Sequence, residues 1–169
     1  LHAFLIQGIF NMRNLLMVTT LASMVISGSV NAAEGQDIVV TPAGSVASAK
    51  GTPDNFTGHV VIDLLTPSSL KTPASSGQVT FAPGARTAWH THPAGQMLIV
   101  TAGKGWIQKE GQSRSVINTG DVVWIPAGVK HWHGATDTTG MSHIAVTYLQ
   151  DGKGADWLEP VTDQQYSEN

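Results

Sequence analysis

From His59 onward the chain is a succession of short β-branched and aromatic runs, each closed by turn residues, and that rhythm constrains the fold more than any other feature. Runs at 59–66, 77–82, 87–92, 96–102, 105–109, 114–117, 121–125, 130–135 and 142–149 read as strands. Between them stand Pro83-Gly84, Pro93-Ala94-Gly95, Gly103-Lys104-Gly105, Glu110-Gly111, Thr119-Gly120-Asp121 and Pro126-Ala127-Gly128, which suit tight turns. Helical periodicity is hard to find. Strand runs recurring every ~8–12 residues predict an all-β sandwich or barrel built from hairpins. A chain of 169 residues gives one such domain a substantial core and leaves hardly enough for two.

The flanks read differently. Met12-Arg13-Asn14 is a short positive start, Leu15 to Ser27 an apolar stretch, and Val30-Asn31-Ala32 a small-x-small site. Together these predict a secretory leader over 12–33, with 1–11 as translated upstream sequence. The apolar run is short of the roughly 20 residues a bilayer span needs, so export rather than anchoring is expected. The expected destination is the periplasm, with no membrane association expected once the leader is removed. Residues 34–58, rich in Gly, Pro, Ser, Thr and Ala, suit an extended arm. A barrel over 59–150 follows, and 151–169, with one Trp and a Pro but no clear period, suit a tail laid along its exterior.

Charge and cysteine content exclude several functions. Nine basic residues stand against 12 acidic ones, and Arg13 is the sole charge in the first 32 positions, so the remainder is more acidic still. Nothing favours nucleic acid. With no cysteine, an exported chain has no disulfides to lean on, and thiolate catalysis and thiolate metal ligands are absent.

Histidine usage is the feature with chemistry in it. Seven histidines in this length predict about 0.3 His-x-His pairs by composition. The chain has two, His90-Thr91-His92 and His131-Trp132-His133. Side chains alternate faces along a strand, so each pair directs both imidazoles to one side of the sheet. If that side is the barrel interior, four imidazoles converge. The Pro93-Ala94-Gly95 turn brings Gln96 back beside His92, an amide oxygen next to two ring nitrogens. His143, in alternation with Ala145, Thr147 and Leu149, adds a fifth histidine facing a small pocket. Burying so many imidazoles without partners is costly, whereas one divalent cation satisfies them together. His59, alone in its strand, reads as an ordinary surface or core residue, and Trp89, Trp106, Trp124 and Trp132 read as packing.

The order Gly84, five residues, His90-x-His92, three residues, Gln96, six residues, Gly103 resembles the first motif of the cupin superfamily, with Gln where most members have Glu. Gly120, five residues, Pro126-x-Gly128, two residues, His131 resembles the second, with Ala135 in place of the usual final Asn. Gln96, His133, His143 and the Trp157-Leu158-Glu159-Pro160-Val161-Thr162 tail resemble the small bacterial manganese cupins that include the hydroxynitrile lyases. The resemblance implies a single double-stranded β-helix, or jelly-roll, barrel that pairs with copies of itself. It also implies His90, His92, Gln96 and His131 as metal ligands, with His133 and His143 beside the open metal positions as catalytic groups. Manganese(II) is the implied ion, with Fe(II), Ni(II) and Zn(II) as alternatives.

The Gln has a physical reading of its own. Three neutral imidazoles and a neutral amide leave a divalent ion its full charge, which favours an anionic ligand such as an alkoxide or cyanide. A carboxylate in that place would offset part of the charge and better support a higher oxidation state. The leading expectation is therefore a carbon–carbon lyase acting on a small-molecule aromatic cyanohydrin. A metal-dependent dioxygenase of small aromatic substrates and a non-catalytic metal- or ligand-binding protein are the alternatives. Extra imidazoles beside the metal count against the last, since a purely structural site tends to close its coordination sphere.

Overall fold

The computed structural model describes residues 37–66 and 72–168. The expected upstream segment, the leader over 12–33 and the first residues of the arm lie outside them. Twelve strands and one short helix follow in chain order: β1 (Ala49–Lys50), β2 (Phe56–Thr57), β3 (Val60–Leu64), β4 (Ala74–Phe81), β5 (Arg86–Thr87), β6 (His90–Thr91), β7 (Gln96–Lys109), β8 (Ser115–Asn118), β9 (Val122–Ile125), β10 (His131–Ala135), β11 (Met141–Tyr148), β12 (Asp156–Trp157) and α1 (Asp163–Ser167).

Among the described residues the strand pairings are antiparallel, and the strands form one sheet curled on itself. One wall runs β1-β3-β4-β11-β7-β9 and the other β2-β5-β10-β7-β8, with β6 beside β10 and β12 beside β6. Strand β7 belongs to both walls: residues 96–103 pair with β11 and 104–107 with β8, while β10 takes 105–109. Here the structure departs from the sequence reading, which expects a turn at Gly103-Lys104-Gly105. The two glycines instead let one strand change walls. Gly103 has φ +74°, and a Cβ there would lie 1.9 Å from the Gly140 carbonyl oxygen; one on Gly105 would lie 2.4 Å from the Gly134 oxygen. Absent side chains allow β10 and β11 to cross this close to β7.

Alternation sorts the residues between two cores. Val60, Phe81, Val100, Ile117, Ala135 and Met141 point inward and pack between the walls. Strand β10 is buried along its whole length because both of its faces are covered. His131, His133 and Ala135 face in. Trp132, between them, faces out and is 0% exposed, packed with Trp89, Val161 and Tyr166 under the C-terminal tail. The tail thus lies on the exterior of the barrel, and it ends in α1, whose Thr162 side chain and Gln165 form a reciprocal capping box. The arm is more than a loop: β1 extends one wall and β2 the other.

Candidate metal centre

Period-2 geometry aims the two histidine pairs at one point. His90 on β6 sits opposite His131 on β10, and the turn after His92 returns the chain so that Gln96 opens β7. Ring centroids of His90 and His131 are 4.2 Å apart, His90 and His92 5.0 Å, and His92 and His131 5.3 Å. One nitrogen from each of these three lies within 4.8 Å of the other two, so together they can hold a metal ion. His133 and His143 form a second layer, with centroids 4.9 Å apart and His133 5.4 Å from His90. His59 is exposed and apart.

Backbone carbonyls orient the three rings. His90 Nδ1 lies 3.0 Å from the Ala88 oxygen, His92 Nδ1 2.7 Å from the Gly154 oxygen and His131 Nδ1 2.9 Å from the Val129 oxygen. A carbonyl only accepts, so each Nδ1 carries the proton and each Nε2 keeps its lone pair. Gln96 is oriented likewise: its Nε2 donates to Thr147 Oγ1 at 2.9 Å, leaving Oε1 to face the imidazoles. Among the described residues, His92 Nε2, His131 Nε2, Gln96 Oε1, His133 Nδ1 and both nitrogens of His143 are buried without a hydrogen-bond partner. Orphaned acceptors cost about 1–3 kcal/mol each, and a cluster of them on one point is what a cation resolves. The donor set of neutral nitrogens and an amide oxygen fits a first-row divalent ion, and the carbonyl partners are the outer contacts that fix ligand tautomers.

Burial keeps every ring neutral. Desolvation, more than any other cause, lowers His131 and His143 to about 4 and pushes His92 below its ordinary value. His90 and His133 are held well below theirs, first by desolvation and then by the neighbouring rings, His131 for the former and His143 for the latter. Neutral imidazole is the metal-binding and proton-accepting form.

A cavity of about 280 Å³ opens onto this cluster, walled by Phe56, Ile62, Val79, Phe81 and Trp157, with His90, His92, Gln96, His133 and His143 at its inner end. Ala145 and Thr147 line it as the alternation of β11 predicts, whereas Leu149 sits beside Gly154 instead. His131 approaches from the far side, where it borders a second groove. The tryptophans divide unevenly. Trp89 and Trp132 are core and Trp106 packs against them, but Trp124 is 53% exposed, edge-on to Tyr148, because its strand β9 lies at the end of its wall.

Sequence reasoning left out three contributors: the Gly154 carbonyl, the Thr147 hydroxyl as the partner of Gln96, and the ring of Phe56 from the arm. The exterior tail also reaches the site: β12 pairs with β6 and brings the Trp157 ring into the cavity wall. One signal was there to find. Asp151-Gly152 is a hairpin-turn dipeptide; both residues have positive φ, 53° and 77°, and Gln150 bridges Lys153. That turn sends the tail back to the histidines.

A small antiparallel β-barrel whose interior gathers three buried histidines able to hold a metal ion is the class of protein that fold and site define. The comparisons with known proteins agree. Residues 77–147 match the family model described as a cupin domain. An (R)-mandelonitrile lyase from Granulicella tundricola is 57% identical over 123 residues, covering 73% of this chain and 94% of that protein. An acireductone dioxygenase from Trichormus variabilis is 32% identical over 85 residues, 48% of this chain and 44% of that protein. The crystal structure of a cupin-like protein from Thermotoga maritima superposes with a TM-score of 0.67 at 43% identity, covering 70% of this chain and 90% of that one. The chain belongs to the cupin family.

Proposed function

We propose that this protein is a metal-dependent lyase that splits aromatic cyanohydrins into aldehyde and hydrogen cyanide. The observation that carries the reading is the pairing of three cation-holding imidazoles with two further buried, unpartnered ones, His133 and His143, at the end of an apolar cavity. The 57% identity to a protein named (R)-mandelonitrile lyase supports the choice of substrate.

In this proposal His90, His92, His131 and Gln96 hold a divalent ion, manganese(II) by the family resemblance, which supplies Lewis acidity toward a hydroxyl oxygen. Phe56, Ile62, Val79 and Trp157 enclose the aromatic ring and exclude water. Both His133 and His143 start neutral, so each offers a lone-pair nitrogen as a base. One ring therefore takes the hydroxyl proton through an unpaired nitrogen. The bond to the nitrile carbon breaks with its electron pair on cyanide, and the C–O bond becomes the aldehyde carbonyl. The imidazolium so formed then gives that proton to the departing cyanide, with the neighbouring ring 4.9 Å away centroid to centroid. Atoms balance: the hydroxyl proton ends on hydrogen cyanide.

Metal analysis of the purified protein, followed by mandelonitrile cleavage before and after chelation, tests this. We expect close to one divalent ion per chain, cleavage lost on chelation and restored by manganese(II). Cleavage that survives complete metal removal refutes the proposal. The similarity to an acireductone dioxygenase favours a second reading, an oxygen-dependent enzyme on the same ligands. Oxygen uptake with a phenolic substrate, without cyanohydrin cleavage, selects it.

A further inference from the structure

Residues 154–168 touch the histidine cluster at more points than an exterior tail requires. The Gly154 carbonyl accepts from His92 Nδ1 across 62 residues of chain. Trp157 pairs with His90 in the β12–β6 register and stacks on its imidazole, with centroids 4.7 Å apart and planes at 29°. The Trp157 ring also packs against Phe56, 5.5 Å away. Two further backbone bonds sew this segment to the residue before β6: Leu158 N donates to the Trp89 oxygen at 2.9 Å, and Trp89 N to the Glu159 oxygen at 3.0 Å. Beyond them the Tyr166 hydroxyl donates to the Ala135 oxygen at 2.9 Å.

We propose that residues 154–159 form a strap that controls how fast the metal centre exchanges its ion, with Trp157 as the positioning residue. The inference rests on the reading of His90, His92 and His131 as metal ligands. A ligating imidazole releases a metal by turning about its Cβ–Cγ bond, and the stacked indole occupies the space into which the His90 ring would turn. Trp157 also walls the cavity that His90 lines. At the strap's start, the Gly154 carbonyl pins the His92 tautomer. The strap thus holds two of the three imidazoles that can bind a cation while supplying no ligand itself. Outer contacts of this kind are worth about 10–100-fold in metal affinity.

Manganese(II) release from the full-length protein tests the proposal without recourse to activity. Wild type, Trp157→Ala, Trp157→Leu, Trp157→Phe and Tyr166→Phe are loaded with manganese(II) and mixed with excess chelator, and protein-bound manganese is measured at intervals after desalting. Trp157 is 39% exposed and its backbone bonds survive substitution, so the variants fold. Release is expected to be roughly tenfold or more faster in the Ala and Leu variants, which lack a planar ring, and within about threefold of wild type in the Phe variant. Tyr166→Phe loosens the far end of the tail and lowers thermal stability, yet is expected to release at the wild-type rate. Release from Trp157→Ala no faster than from wild type overturns the strap, and so does equally fast release from Tyr166→Phe, which would mean general loosening. A wild type that retains no manganese refutes the metal centre itself, and the strap with it.

Discussion

His143 is fully buried with both ring nitrogens unpartnered among the described residues, and its replacement by leucine separates what the site does for chemistry from what it costs the fold. The ring sits 5.6 Å from Phe81 and 4.9 Å from His133, in register with Val79 and Val100, so an apolar side chain of similar volume has apolar neighbours. Two effects follow for the metal-free protein. Removing buried unpaired nitrogens relieves a penalty of about 1–3 kcal/mol. The second effect depends on pH. Folding lowers His143 to about 4 from an unfolded value near 6.5. Above 6.5 the ring is neutral in both states. Between 6.5 and 4 the unfolded chain binds a proton that the folded chain does not, so stability falls with falling pH through that window. At about 1.4 kcal/mol per pH unit, the step from pH 7 to pH 5 costs roughly 2 kcal/mol for this group alone. His143→Leu should therefore raise the urea midpoint of the metal-stripped protein at pH 7 by up to about 1 M. It should also flatten the loss between pH 7 and pH 5 by roughly 2 kcal/mol, the remainder belonging to the other depressed histidines. Cyanohydrin cleavage by the metal-loaded variant should drop at the same time. A midpoint at or below wild type at pH 7, or an unchanged slope with pH, would refute the claim that this imidazole is held neutral and unpaired at the expense of stability.

Two further substitutions probe the charge of the site and the crossing of the walls. Gln96→Glu keeps size and an oxygen donor but adds negative charge. Metal content, read by elemental analysis, should hold or rise while mandelonitrile cleavage falls about tenfold or more, equivalent to 1.4 kcal/mol in the barrier. Unchanged cleavage at full occupancy removes the electrostatic reasoning, and rising oxygen uptake favours the dioxygenase reading. Gly103→Ala places a methyl 1.9 Å from the Gly140 oxygen at a φ of +74°. It should cost about 3 kcal/mol or more in urea unfolding, and a loss under 1 kcal/mol would mean that the close crossing of β7 and β11 is not built on that glycine.

Strand character and facing are local properties, and they were legible. The spacing of β-branched runs placed most of the strands within a few residues, because turn residues and alternating burial are written into neighbouring positions. The same period of two placed His90 with His92 and His131 with His133 on shared faces, and His143 with Ala145 and Thr147 on the wall of the cavity. Absence of cysteine excluded thiolate ligands. What tertiary structure alone decided are contacts between residues far apart in the chain. Gly103 to Gly105 look like a turn from their neighbours, and become a strand only because β10 and β11 crowd against them. The Gly154 carbonyl that fixes the His92 tautomer is 62 residues away, and any residue could offer that carbonyl, so no side chain announces it. Trp157 reads as a tail aromatic until β12 pairs with β6 and stacks its ring on His90. Alternation tells a side chain which face to take; only the packed fold tells it which partner waits there.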